Sequence, residues 1–155
     1  MENNRIGRVA RKTGETDIVI EINLDGSGSY KIDTPVPFLN HMLTLLSVHS
    51  LCDFNISAMG DMEVDDHHTV EDIAICLGQA LKEAVGGKQG IYRYGEATIP
   101  MDEALARVVL DFSGRPYLVY NVDLAPQRLG LLATENVKEF FQALVNQAGI
   151  TLHID

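Results

Sequence analysis

The chain has 155 residues and a formal net charge of −10, a length that suits one domain or two small fused lobes. The acidic excess argues against general nucleic-acid binding, and no apolar run approaches the roughly 18 residues of a membrane span. The N-terminus lacks the apolar stretch of a signal peptide, and Cys52 and Cys76 lack the spacing of a zinc or redox pair. We therefore expect a cytoplasmic protein with reduced thiols and with no nucleic-acid or membrane partner.

Strand and helix signals follow one another along the chain. In the first half the pattern predicts strands over 17–24 and 29–32 joined as a hairpin, a helix over 37–50, a strand over 54–59 and a helix over 67–85. Pro37 suits a helix start, and Asp66 is placed to cap the helix that begins after it. In the second half it predicts strands over 97–99, 104–111 and 117–122, a helix over 136–147 and a strand over 150–154.

The same order of elements, strands then a helix then a strand, occurs twice. Residues 15–26 match 103–114 at a shift of 88, and residues 40–46 match 138–144 at a shift of 98. Because the matched segments share few identities, chance is the alternative to an internal repeat. The shared order favours duplication and predicts two β-β-α-β-α-type halves, 1–88 and 89–155, of which the second lacks its last helix.

The sequence Asp-Asp-His-His-Thr-Val-Glu-Asp at residues 65–72 is the most informative segment of the chain. On a helix, His67 and Glu71 share a face, whereas His68 is turned about 100° away from His67. Two imidazoles that point apart do not easily bind one ion, but each can serve a different ion, which predicts half of a two-metal site. The alternative is a solvated acidic helix start that complements the helix dipole.

Each of the other candidate residues, taken alone, is weaker evidence for a functional site. His41 and His49 lie in the apolar pattern of the first helix, where a lone histidine is more often structural than a ligand. Arg93 and Arg115 lie beside glycines at element ends, where a guanidinium can bind phosphate with two hydrogen bonds, although a surface arginine is the commoner interpretation. Glu15 is interpreted alone as a strand-end carboxylate. The sequence contains no nucleotide-binding glycine loop and no nucleophile elbow.

Taken together, these residues resemble the imidazoleglycerol-phosphate dehydratase family. The matching stretches are Phe-Leu-Asn-His-Met-Leu at 38–43, Gly-Asp-Met-Glu-Val-Asp-Asp-His-His-Thr-Val-Glu-Asp at 60–72, Gly-Ile-Tyr-Arg-Tyr-Gly at 90–95, Ile-Pro-Met-Asp-Glu-Ala-Leu-Ala at 99–106 and Asp-Phe-Ser-Gly-Arg-Pro-Tyr at 111–117. The resemblance implies a duplicated α+β fold whose four-stranded sheets carry helices on one face. It also implies dehydration of imidazole glycerol phosphate to imidazole acetol phosphate in histidine biosynthesis, by trimers that metal assembles into shells of twenty-four subunits.

The resemblance further implies a pair of manganese ions at each site, between subunits. By position, His41 and His68 would serve one ion and His67 and Glu71 the other, and Glu139 stands where many relatives carry a further histidine ligand. The implied substrate contacts are Glu15, His41, His49, His67, His68, Glu71, Arg93 and Arg115. Dehydration needs a base that removes a carbon-bound proton, and Glu15 is our choice, with water or a metal-bound hydroxide as alternatives.

The resemblance and the repeat shift also agree on a further segment. A shift of 98 carries residues 67–71 to 165–169, about ten positions beyond Asp155. In relatives a second His-His-x-x-Glu segment, a helix and a lysine-bearing tail complete the metal and phosphate sites, so we expect either a longer natural protein or an inactive chain. Two other functions stay open, a metal-dependent assembly protein without catalysis and a metallohydrolase of phosphate esters.

Overall fold

Two four-stranded sheets, three helices and one short hairpin make up the structure, a computed structural model that describes residues 5–155. The first repeat consists of β1 (Ile6–Lys12), β2 (Thr16–Asn23), β3 (Tyr30–Asp33), α1 (Pro37–Ser50), β4 (Asp53–Gly60) and α2 (His67–Val85). The second consists of β5 (Tyr94–Met101), β6 (Ala104–Asp111), β7 (Tyr117–Tyr120), β8 (Arg128–Leu129), β9 (Leu132–Ala133), α3 (Glu135–Ala148) and β10 (Thr151–Ile154). The predicted boundary between residues 88 and 89 falls in the loop that joins α2 to β5.

Both sheets have the same topology, which confirms the internal duplication. Their strand orders are β1-β2-β4-β3 and β5-β6-β10-β7. In each sheet the first two pairs of neighbours are antiparallel and the last pair is parallel. The predicted α+β class with four-stranded sheets is therefore confirmed. Chance similarity would not reproduce both the strand order and the strand directions.

An insertion in the second repeat explains why two different shifts align the halves. β6 begins 88 residues after β2 and α3 begins 98 residues after α1. Between β3 and α1 lie 3 residues, 34–36, whereas between β7 and α3 lie 14 residues, 121–134. The longer connection contains the β8–β9 hairpin, which the first repeat does not have. This hairpin becomes important at the candidate site.

The hairpin predicted from 17–24 and 29–32 is wrong. β2 pairs with β1 on one side and with β4 on the other, while β3 lies parallel to β4 at the far edge of the sheet. The intervening loop passes the start of β4, where the Asp53 carboxylate accepts the backbone N–H groups of Ser27 and Ser29, each at 2.8 Å. A turn-rich sequence shows that the chain changes direction, but it does not show which strand it reaches next.

The helices cover one face of the first sheet, as expected. In β2 the side chains of Ile18, Ile20 and Ile22 alternate inward and are 2% exposed or less, as the two-residue period of a strand requires. α1 packs on β3 and β4, and α2 packs on β1 and β2 while its other side contacts α3. α2 therefore lies at the junction of the two repeats. None of the helices formed by residues 5–155 is long and apolar enough to cross a bilayer.

Gly7 in β1 lies close against α2, because an added Cβ would lie 1.8 Å from the backbone oxygen of Ala80. Its repeat counterpart, Gly95, would place a Cβ 3.7 Å from Leu110 Cγ, an ordinary contact. We expect Gly7→Ala to lower the free energy of unfolding by about 1–3 kcal/mol through overpacking. We expect Gly95→Ala, the matched control, to change it by about 0.5 kcal/mol or less. Chemical denaturation checks this, and equal losses in both variants would contradict the packing explanation.

Candidate active site

The histidine pair opens α2, and the two rings point in different directions. His67 Nε2 lies 3.5 Å from Glu71 Oε2, one helical turn on, and both side chains are 41% exposed. The ring centroids of His67 and His68 are 6.0 Å apart and their planes are inclined by 68°. His67 and Glu71 thus form one pair of nitrogen and oxygen donors, and His68 belongs to a separate set, as the helical spacing predicts.

His68 is paired with Asp61, which lies in the loop after β4. His68 Nδ1 lies 3.1 Å from Asp61 Oδ2, so Nε2 is the nitrogen left for a ligand. The hydrogen bond that His68 donates to the Asp61 carboxylate raises the pKa of His68; desolvation partly opposes this, and the charges of Asp61, Glu15 and Asp65 add to it. The sequence interpretation did not include Asp61. The signal that could have identified it is an acid directly after a strand-ending glycine, close to the histidine pair.

The His68–Asp61 pair gives the metal-free protein a pH-dependent stability. Because the folded state raises the pKa of His68 above its ordinary value of 6.5, protonated His68 favours folding. The contribution is fully present below 6.5 and is lost as pH rises through the raised pKa. We expect the unfolding free energy of the wild type to exceed that of His68→Gln at low pH, with a difference that shrinks as pH rises. Denaturation at a series of pH values measures this. In an Asp61→Asn background the difference should depend less on pH, because the largest cause of the raised pKa is then absent. A difference that grew with pH would contradict the assignment.

Glu15 lies near this pair, in the turn between β1 and β2. Its side chain is exposed, and its backbone N–H donates to Thr13 Oγ1 at 3.1 Å. The turn lines a shallow surface depression together with Gly60 and Asp61. Because Glu15 is also among the charges that act on His68, the structure brings Glu15 to the same end of the first repeat as the histidine pair.

Asp66 does not cap α2, so that prediction is wrong. The carboxylate is 1% exposed and accepts hydrogen bonds from Arg128 Nη2 at 3.1 Å, from the backbone N–H of Ala133 at 2.8 Å and from Asn136 Nδ2 at 3.0 Å. Asp65 binds the start of the helix instead, because its Oδ1 accepts the backbone N–H of His67 at 2.8 Å. The position of Asp66 directly before the helix predicted a cap. The donors that bind its carboxylate instead lie more than sixty residues away, so local spacing could not reveal them.

The surroundings of Asp66 keep it ionised, and they join the two repeats. Burial alone would raise the pKa of Asp66, but hydrogen bonds from Asn136 and Ala133 and the charge of Arg128 outweigh burial and lower that pKa below its ordinary value. Asn136 also contacts the histidine pair, since its Oδ1 lies 3.0 Å from His67 Nδ1. No pattern in the sequence marked Asn136, because its role depends on contacts between repeats.

The other predicted metal ligands, His41 and Glu139, lie on helices α1 and α3. His41 is exposed on α1, which packs on β3 and β4, and Glu139 is exposed on α3. His49, predicted as a substrate contact, is also exposed on α1. Over residues 5–155 no three or more histidine, cysteine, aspartate or glutamate side chains gather into a cage for a metal ion. One subunit therefore presents its candidate ligands as separate partial sets. The assignments of His41 and Glu139 stay predictions.

Arg93 and Arg115 lie in the second repeat around Asp111. Arg93 holds that carboxylate with Nε at 2.7 Å from Oδ1 and Nη2 at 3.1 Å from Oδ2. The hydrogen bonds from Arg93 lower the pKa of Asp111, opposed by desolvation and supported by the charges of Arg93, Arg115 and Lys88. The Arg115 carbonyl accepts a hydrogen bond from Thr151 Oγ1 at 3.2 Å, which ties the loop to β10. The three cations form a basic cluster at the strand ends of the second sheet.

These features define a class, a duplicated α+β protein in which a His-His-x-x-Glu helix lies at the junction of the repeats. The profile of imidazoleglycerol-phosphate dehydratase matches residues 34–155. An imidazoleglycerol-phosphate dehydratase from Syntrophomonas wolfei is 66% identical over the whole chain, which spans 79% of that relative. One from Desulfotalea psychrophila is 57% identical over the whole chain, spanning 78% of the relative.

Solved structures of the same enzyme show the same fold. The crystal structure from Staphylococcus aureus has a TM-score of 0.86 and 47% identity, covering 97% of this chain and 82% of that one. The structure from Pyrococcus furiosus, in complex with (S)-C348, has a TM-score of 0.81 and 37% identity, covering 95% of this chain and 78% of that one. The chain belongs to the imidazoleglycerol-phosphate dehydratase family. It is a hydro-lyase of histidine biosynthesis.

Proposed function

We propose that this protein dehydrates imidazole glycerol phosphate with two manganese ions at each site and that neighbouring subunits complete the sites. Family membership supports the reaction. The observation that carries the metal proposal is the division of the histidine pair, in which each ring has its own carboxylate, Glu71 for His67 and Asp61 for His68. Two rings held in different directions by different acids suit two ions better than one.

The available donor atoms fit a divalent cation. Asn136 and Asp61 engage the Nδ1 atoms of His67 and His68, which leaves both Nε2 atoms for ligands. Glu71 supplies a carboxylate oxygen beside His67, and imidazole with carboxylate is a donor set that manganese accepts. Cations bound there would act as Lewis acids that draw electron density from the imidazole ring of the substrate.

In the proposed reaction Glu15 supplies the base. The hydroxyl on the carbon next to the substrate ring leaves, and the Glu15 carboxylate takes the proton from the following carbon, so that one C–O and one C–H bond break. The departing groups amount to one water molecule, and the enol that forms becomes the ketone of imidazole acetol phosphate. Glu15 is suited to this task because it is exposed and lies beside the depression next to Asp61, within reach of a bound ligand.

Arg93 and Arg115 are proposed to hold the substrate phosphate. The Arg93 guanidinium donates two hydrogen bonds to the Asp111 carboxylate, and the same planar group suits phosphate oxygens. Phosphate would compete with Asp111 for Arg93, whereas the Arg115 backbone is held in place by Thr151. Holding the phosphate would fix the orientation of the carbon chain relative to the base.

Self-association as a trimer, and as a twenty-four-subunit shell when metal is bound, is the proposed assembly. The surface of α1 supports it, because several large apolar side chains there are exposed. They are Met42, Leu45, Leu46, Val48 and the following Leu51. An apolar surface of this kind favours a protein contact, and it lies on the same helix as His41 and His49, which are proposed to serve a site completed by a neighbouring subunit.

The test is to supply the protein with manganese and imidazole glycerol phosphate and to follow formation of imidazole acetol phosphate. A phosphate monoester without an imidazole ring serves as the control substrate. We expect dehydration of the first compound and no phosphate release from the second. Phosphate release from both would favour a metallohydrolase, and manganese-driven assembly without turnover would favour an assembly protein. Either result would overturn the proposed function.

A further inference from the structure

We propose that Asn136 is a positioning residue that holds His67 in the Nδ1–H tautomer and thereby turns its Nε2 lone pair toward the proposed metal. The metal part of this inference rests on the proposed function, whereas the tautomer part does not. Asn136 lies in the first turn of α3, in the other repeat, and it is 4% exposed. Its amide bridges two groups of the first repeat, the Asp66 carboxylate and the His67 ring.

The direction of the amide follows from Asp66. That carboxylate also accepts hydrogen bonds from Arg128 and Ala133. An ionised carboxylate can only accept, so the Asn136 group that faces it must be the donating NH₂. The amide oxygen then points the other way and lies 3.0 Å from His67 Nδ1. Because a carbonyl oxygen only accepts, a neutral His67 must carry its proton on Nδ1, and Nε2, which lies 3.5 Å from Glu71 Oε2, keeps its lone pair.

The support for Asn136 is specific to the second repeat. Arg128 and Ala133 belong to the β8–β9 hairpin, the insertion that the first repeat lacks. Arg128 Nη2 also donates to the carbonyl of Leu131 at 2.5 Å, which fastens the hairpin across its own turn. At the 98-residue shift the counterpart of Asn136 is Phe38, which cannot accept a hydrogen bond. The insertion therefore builds a contact between repeats that the duplicated fold alone does not provide.

Burial makes this contact effective. Asp66 and Asn136 are 1% and 4% exposed, so water cannot readily replace the hydrogen bond between them, and the Asn136 amide stays fixed in front of the His67 ring. In water the neutral imidazole of histidine favours the Nε2–H form, and a fixed acceptor at Nδ1 reverses that preference. Partners of this kind orient a metal-binding histidine, and their removal typically lowers metal affinity by about 10- to 100-fold.

The experiment measures the tautomer of His67 by nitrogen-15 NMR of the metal-free protein, at a pH where the ring is neutral. The His67 signals are assigned by their loss in His67→Gln. We expect the Nδ1–H form in the wild type and a shift toward the Nε2–H form in Asn136→Ala. Manganese affinity, measured by titration, should fall by about 10- to 100-fold in Asn136→Ala. Asn146→Ala is the matched control on the same helix at an exposed position, and neither quantity should change in it.

A wild type in the Nε2–H form would overturn the inference, and this measurement needs only the assignment variant His67→Gln to fold, a substitution at a side chain that is 41% exposed. An unchanged tautomer in a folded Asn136→Ala would overturn it as well. The outcomes separate the inference from the proposed function. An Nδ1–H wild type that takes up no manganese would support the Asn136–His67 contact and sink the metal proposal. Manganese binding by a protein whose metal-free His67 is in the Nε2–H form would support the metal proposal and overturn the inference about Asn136.

Discussion

Glu15→Gln is expected to lower dehydratase turnover by about 10²–10⁴-fold, the range over which a general base contributes. The substitution keeps the size of the side chain and removes only its ability to take a proton. Because Glu15 is exposed in the β1–β2 turn, the fold and the unfolding free energy should stay as in the wild type. Steady-state turnover of imidazole glycerol phosphate, measured on the wild type and the variant, provides the result.

The repeat supplies the control for this prediction. Glu103 lies 88 residues after Glu15, in the turn between β5 and β6, and it is also exposed. Glu103 belongs to none of the proposed ligand or substrate contacts, and the glutamate charge that acts on His68 is that of Glu15, so Glu103→Gln should leave turnover unchanged. Near-normal turnover in Glu15→Gln, or equal losses in both variants, would eliminate Glu15 as the base.

His67→Ala is expected to abolish binding of one of the two proposed manganese ions and to lower turnover by at least about 10²-fold. The magnitude follows because loss of a group that merely supports a ligand already costs about 10- to 100-fold, and loss of the ligand costs at least as much. His67 is 41% exposed, so truncating its side chain should not create a cavity in the hydrophobic core. Metal content by elemental analysis and turnover are measured on the same sample.

The control for His67→Ala is His153→Ala. His153 is exposed on β10 of the second sheet and belongs to none of the proposed donor sets, so the variant should retain full manganese content and turnover. A His67→Ala protein with two manganese ions per chain and wild-type turnover would contradict the assignment of His67 as a ligand.

Features that depend on neighbouring residues were predictable from the sequence. α1 and α2 begin and end at the predicted residues, and β6 has the predicted bounds, because helical spacing, the Pro37 start and strand alternation are local signals. The direction of the two rings in the histidine pair is also local, since it depends only on rotation along a helix. The repeat was visible for a similar reason, because both halves obey the same local pattern.

Features that depend on contacts between repeats could not be predicted. Asp66 has the residue type and position of a cap, but its carboxylate faces donors at Arg128, Ala133 and Asn136 instead. β1 has few strongly apolar residues, since much of its inner face is Gly7 and Val9, so it gave no strand signal even though it is the partner of β2. Pairing and burial decide these positions, and neither is encoded within a short window of sequence.

The two repeats contribute different residues to the candidate site. The first repeat carries the histidine pair and Glu15, while Asn136 and the β8–β9 hairpin of the second repeat hold the start of α2. A protein made of the first repeat alone would have the His-His-x-x-Glu motif without the groups that orient His67. We infer that the duplication serves the site by supplying this support.

The central claim is that manganese bound at the histidine pair is required for dehydration. The most direct measurement is the rate of imidazole acetol phosphate formation by the protein after its metal has been removed with a chelator and manganese is then added back in steps. The rate should fall to background without metal and should recover fully as manganese approaches two ions per site. A rate that survives complete metal removal would contradict the account.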